Sequence, residues 1–218
     1  MQYIVLFDLD GTLIDSTQAV YEGFCTAFKH FNASIPKYEE VTQHIGHPLE
    51  YMFGALGVKE ADLQDYIAIY KEHYRQICNA KTTLLPSAKE AILEASKFAM
   101  LGVVTTKTGQ YSKMLLEYLE VAKYFTCIIG RENVINPKPD AEPILTALKH
   151  FPKILNANIY MVGDTPLDIQ AAKNAGIQSV GVLSGYASLE VLQTHTQNIT
   201  QDVLGAVRFI KMQYGIVD

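Results

Sequence analysis

The chain has 218 residues, 49% of them hydrophobic, with 18 Lys and Arg against 23 Asp and Glu for a formal charge of −5. That is enough for one large domain, or a domain with an insertion, around a sizeable core. The acidic balance argues against a nucleic-acid backbone as partner. No stretch approaches a membrane span, and there is no basic leader with a cleavage site. The three scattered cysteines form neither a CxxC pair nor a disulfide framework, so a reducing, cytoplasmic setting is expected. The six histidines show no zinc spacing, and neither GxSxG nor GxGxxG occurs.

The first predicted strand covers 3–8 and runs straight into Asp8-Leu9-Asp10-Gly11-Thr12. Two carboxylates two residues apart beside an apolar core are costly to hold together. A hard divalent cation such as Mg2+ is the simplest partner, and it leaves coordination positions for phosphate oxygens. An Asp-Gly pair is also an ordinary turn signal, so these five residues admit a purely structural reading.

From Ser16 to about Lys81 no strand is evident. Val20, Phe24, Ala27 and Phe31 recur at helical spacing, as do Leu63, Ile67, Tyr70, Tyr74 and Ile77. The expectation is a helical insert that leaves after the acidic turn and returns near Thr83. It either closes over the turn as a lid or packs rigidly with the rest. Ser87-Ala88-Lys89-Glu90 after Pro86 has the capping-box pattern for the next helix.

Apolar runs at 100–104, 126–129, 158–162 and 178–182 follow, the four separated by helical stretches. Continuous rather than alternating apolar runs predict a parallel sheet buried on both faces. A final helix places Val203, Val207, Ile210 and Tyr214 on one face. Ligands of such sheets gather beyond the carboxyl ends of the strands. There the chain carries Thr105-Thr106-Lys107, then Asn136-Pro137-Lys138-Pro139, then Gly163-Asp164-Thr165-Pro166-Leu167-Asp168. Each has a plainer reading. Thr105 could cap a helix, Lys138 could be a solvated loop lysine, and Thr165–Asp168 fits a capping box with Pro at the first helical position. Acid, hydroxyl, lysine and acid on one sheet edge nevertheless assemble a metal-and-phosphate site.

These four clusters, in order, resemble the motifs of the haloacid dehalogenase superfamily. The resemblance spans nearly the whole chain. It implies an α/β fold with a doubly wound parallel sheet, a Rossmann-like core of 1–15 and 82–218, and an inserted α-helical cap of 16–81. It further implies Asp8 as nucleophile and Asp10 as general acid and base. Mg2+ would be held by Asp8, the Asp10 carbonyl and Asp164, with Thr12 and Asp168 supporting that shell. Thr105, Lys138 and the amides of Leu9 and Thr106 would bind phosphate. Asp10 favours phosphoryl chemistry over dehalogenation, which needs no acid at that position.

Asp8 to Ser16, Val103-Val104-Thr105-Thr106-Lys107 and Ile45-Gly46-His47-Pro48-Leu49 resemble phosphoglycolate phosphatases. Thr106 stands where those enzymes usually have Asn, and Asn136 where a Lys often precedes Pro-Lys-Pro. The expectation is a phosphatase for a small phosphorylated metabolite, 2-phosphoglycolate among the candidates, acting as monomer or homodimer. A pyrophosphatase or nucleotidase, a β-phosphoglucomutase-like phosphomutase and a silent phosphate sensor are the alternatives. His47 either faces the leaving group or is a surface loop histidine. No cap lysine stands out as suited to a phosphonate Schiff base, with Lys37 and Lys59 the two that keep that chemistry open.

Overall fold

The computed structural model describes residues 3–213; Tyr214, expected on the last helix, lies outside them. Strand β1 (Tyr3–Phe7) leads to the two-residue β2 (Ile14–Asp15). Helices α1 (Thr17–His30), α2 (Tyr38–Thr42), α3 (Leu49–Ala55) and α4 (Leu63–Ile77) come before β3 (Thr83–Leu84). The chain continues through α5 (Ala88–Ala95), β4 (Ala99–Val104), α6 (Gly109–Tyr118), β5 (Phe125–Ile129), α7 (Glu142–Leu148), β6 (Ile159–Gly163) and α8 (Pro166–Asn174). It ends with β7 (Gln178–Val182), α9 (Leu189–Gln193), β8 (Ile199–Thr200) and α10 (Val203–Gln213). Among the described residues no helix is long and apolar enough to cross a membrane.

Six strands form one parallel sheet in the order β5-β4-β1-β6-β7-β8. The five expected strands are all present, with bounds displaced by no more than a residue. Their continuous apolar character follows from burial on both faces. Val5 and Phe7 join Leu101, Val103, Val162 and the buried faces of α5, α6 and α10. Ile4 and Leu6, pointing the other way, join Cys127, Ile129, Met161 and the apolar residues of α7 and α8. The result is a doubly wound three-layer α/β/α arrangement.

β8 was not foreseen from the sequence. It is two residues long, and Ile199 and Thr200 join the sheet edge through parallel pairing with Gly181 and Val182. The β2–β3 pair was also missed. Ile14 faces Leu84 and Asp15 faces Thr83 in antiparallel register, so residues 17–77 leave and return through adjacent strands.

The helices between them pack an aromatic interior. Phe24 stacks on Phe53 at 4.3 Å, and Tyr70 meets Phe24 edge-on at 5.2 Å. The Ser87 expectation fails. Ser87 sits at φ +64° and its hydroxyl donates to Asp202 Oδ2 at 2.7 Å, so it ties α5 to the segment before α10 instead of capping its own helix.

Candidate active site

Because the strands are parallel, their carboxyl ends share one edge, and the chain turns back across the sheet between β1 and β6. That is the crevice where such folds bind ligands. Asp8 follows β1 and its N–H donates to Val162 O at 2.9 Å, which fixes it beside β6. Thr105 follows β4 and donates its N–H to Ile129 O at 2.9 Å. Asp164 follows β6, and the loop after β5 delivers Lys138 from the side. Asp8, Asp10, Thr12, Thr105, Lys138, Asp164 and Asp168 are all buried.

Lys138 is at the centre of the arrangement. Its Nζ donates to Asp8 Oδ1 at 2.7 Å, Asp168 Oδ1 at 2.5 Å and Val104 O at 3.0 Å. The solvated-loop reading of Lys138 is thereby excluded. Burial alone would lower its pKa, but Asp168 and Asp8 more than offset this and hold it charged. Asp168 also accepts the N–H of Thr165 at 3.0 Å and its hydroxyl at 2.7 Å on Oδ2. The capping reading of Asp168 and its place beside Lys138 are both real, one oxygen serving each.

Asp164 is gripped differently. Thr12 Oγ1 donates to its Oδ1, and the Tyr186 N–H to its Oδ2, both at 2.9 Å. Two glycines make room for it. A Cβ at Gly11, which sits at φ +82°, would lie 2.4 Å from Asp164 Oδ2, and one at Gly185 would lie 2.0 Å from the same atom. Carboxylate oxygens of Asp8, Asp164 and Asp168 lie within 4.8 Å of one another.

The negative groups of this cluster outnumber its one cation, Lys138. Burial, partly offset by Lys138, pushes Asp8 up to about 7. Burial, then Asp8 and Asp168, raises Asp164 well above the carboxylate range. Three clustered carboxylates against the one ammonium of Lys138 are a donor set suited to a hard, oxygen-seeking cation. Asp164 and Asp168 each have both oxygens in protein hydrogen bonds, whereas Asp8 has only Oδ1 so engaged, by Lys138.

Asp10 stands apart from that cluster. Ser16 Oγ donates to its Oδ1, and Lys107 Nζ lies 3.3 Å from the same oxygen. Lys107 also donates to the Tyr74 hydroxyl of α4 at 3.0 Å. Burial would lower the Lys107 pKa, but Asp10 and Tyr74 raise it well above the usual lysine value. Asp10 and Lys107 face a cavity of about 60 Å³ between the sheet edge and the helical segment; Tyr70, Tyr74 and His47 also line it. His47 is half-buried, lines this cavity and stacks on Tyr51 at 4.1 Å, so it is not a free surface histidine. Lys37 and Lys59 are exposed and do not line the cavity.

The N–H groups of Leu9 and Thr106 have no acceptor among the described residues. Thr106 Oγ1 donates to Gly46 O at 2.7 Å, tying the strand end to the helical segment. Sequence reasoning missed Ser16, Tyr74 and Tyr186. Tyr186 acts through a backbone N–H and has no side-chain signature. Ser16 and Tyr74 look like ordinary helix residues until folding brings them to Asp10 and Lys107. All three cysteines are free.

Residues 5–182 match the family model described as haloacid dehalogenase-like hydrolase. The chain is 32% identical over 179 residues to the pyrophosphatase PpaX of Bacillus velezensis, covering 82% of each chain. It is 30% identical over 189 residues to the phosphoglycolate phosphatase of Aquifex aeolicus, covering 85% of this chain and 87% of that one. A solved haloacid dehalogenase-like family hydrolase from Streptococcus pneumoniae superposes with a TM-score of 0.85 at 25% identity, covering 95% of this chain and 97% of that one. The chain belongs to the haloacid dehalogenase-like hydrolases and is an enzyme of that family.

Proposed function

We propose that this hydrolase is a Mg2+-dependent phosphatase acting on a small phosphorylated metabolite, with 2-phosphoglycolate the leading candidate and pyrophosphate the second. The observation that carries the reading is the buried Asp8 carboxylate, 2.7 Å from Lys138 and grouped with Asp164 and Asp168. That combines a nucleophile, a cation for phosphate oxygens and a place for a metal. The relatives named as a phosphoglycolate phosphatase and a pyrophosphatase support the substrate class.

In this mechanism an Asp8 oxygen attacks phosphorus while the bond to the leaving oxygen breaks, giving an aspartyl-phosphate. Asp10, oriented by Ser16 and Lys107, gives its proton to that leaving oxygen. Asp10 then takes a proton from water, the water oxygen attacks phosphorus, and Asp8 is released with free phosphate. Lys138, the Thr105 hydroxyl and the N–H groups of Leu9 and Thr106 bind the phosphate oxygens. Asp8, Asp164 and the Asp10 carbonyl would hold Mg2+, with Thr12 and Asp168 keeping the carboxylates in place. When bound, Mg2+ would neutralise the charge between carboxylate and phosphate and stabilise the charge that develops on transfer.

Residues 16–81 act as a cap over the core of 1–15 and 82–218, with β2 and β3 as its neck.

The deciding experiment is Mg2+-dependent hydrolysis of p-nitrophenyl phosphate by wild type and Asp8→Asn, followed by a panel that includes 2-phosphoglycolate, pyrophosphate and hexose phosphates. Asp8→Asn should abolish turnover. Retained activity in a clean preparation would falsify the nucleophile assignment, and an isomerised sugar phosphate would identify a mutase.

A further inference from the structure

The cavity over Asp10 has an uneven charge distribution. Asp10 and Glu50 line it, and so do three cations, Lys71, Lys107 and Arg131. Two of those cations come from neighbouring strand ends. Lys107 follows β4, Arg131 follows β5, and the Arg131 N–H donates to Lys107 O at 3.0 Å, which pins the pair together.

Neither cation is saturated. Lys107 Nζ has three N–H donors and two partners, Tyr74 at 3.0 Å and Asp10 at 3.3 Å. The second distance is long for a charge-assisted contact. Arg131 has five N–H donors, of which Nη1 donates to Val134 O at 3.1 Å.

We propose that Lys107 and Arg131 form an anion subsite for the far end of the leaving group, so that the substrate is a small phosphate ester or anhydride whose leaving group carries its own carboxylate or phosphate. This rests on the phosphatase reading above and narrows it. A compact anion in this cavity would supply the acceptor that the third Lys107 N–H lacks and place its charge beside Arg131.

The test compares kcat/KM for three substrates with leaving groups of similar size, 2-phosphoglycolate, pyrophosphate and 2-hydroxyethyl phosphate, in wild type, Lys107→Met and Arg131→Met. Wild type should favour at least one anionic leaving group over the neutral one by about tenfold or more. Each substitution should cut that preference by about ten- to hundredfold, mainly through KM. Loss confined to 2-phosphoglycolate assigns a carboxylate; loss confined to pyrophosphate assigns a phosphate. Lys107→Gln replaces Lys107→Met if the latter melts well below wild type. A wild type without preference, or variants that slow all three substrates equally, would overturn the subsite. The Asp8→Asn comparison reads the phosphatase assignment separately, so failure of one is not mistaken for failure of the other.

Discussion

Replacing Lys138 by Met would remove the one ammonium from the carboxylate cluster while keeping a stem of similar length. Lys138 is 4% exposed and touches Asp8, Asp168 and the Val104 carbonyl. Removing one partner of a buried ion pair costs about 3–5 kcal/mol, because the other charge stays buried and unpaired. A chain of this size loses about 2–4 °C in Tm per kcal/mol. The expected fall is therefore about 6–20 °C, read by calorimetry on metal-free protein at pH 7, together with loss of phosphatase activity. Adding Asp8→Asn to Lys138→Met should recover part of the loss, because one stranded carboxylate is gone. The two substitutions should thus fail to add by more than about 1 kcal/mol. A Lys138→Met protein melting within about 2 °C of wild type would refute the reasoning.

The other predictions concern the same cluster. Asp8 sits at about 7 in the fold against 3.8 ordinarily. Between those values the folded state keeps a proton that the unfolded state has lost, so metal-free protein should lose about 3 kcal/mol of stability through this group as pH rises from about 4 to 7. Urea titrations at several pH values would measure this, and Mg2+ should flatten the slope. Thr12→Val removes a buried donor to Asp164 and should raise the Mg2+ concentration for half-maximal activity by about tenfold, read from Mg2+ titrations of the rate. Gly185→Ala drives a methyl group into Asp164 and should lower kcat by about tenfold or more while the circular dichroism spectrum is retained.

Much of the fold and most of the residues gathered in the candidate site were legible in the chain because their signals are local. A strand buried on both faces must be apolar throughout, so Ile4 to Phe7 and Ile159 to Val162 stand out. A strand end that carries chemistry must switch abruptly to polar residues, and Asp8, Thr105 and Asp164 do so. Lys138 follows a loop, and its importance emerged only from the company of the other three. β2, β3 and β8 gave no signal, because two-residue strands contain no full period and exist only through their partners.

The sequence by itself determined which residue types stand at the ends of the strands, and so the kind of chemistry on offer. Tertiary structure alone decided how they pair. It gave one oxygen of Asp168 to Lys138 and the other to Thr165, held Asp164 with the amide of Tyr186, and set Lys107 between Asp10 and Tyr74. The physical reason is range. Hydropathy and turn preferences act over a few neighbouring residues, whereas hydrogen bonds and charge pairing join groups up to 173 positions apart, as between Gly11 and Ser184, and are fixed only once the sheet has brought its strand ends together.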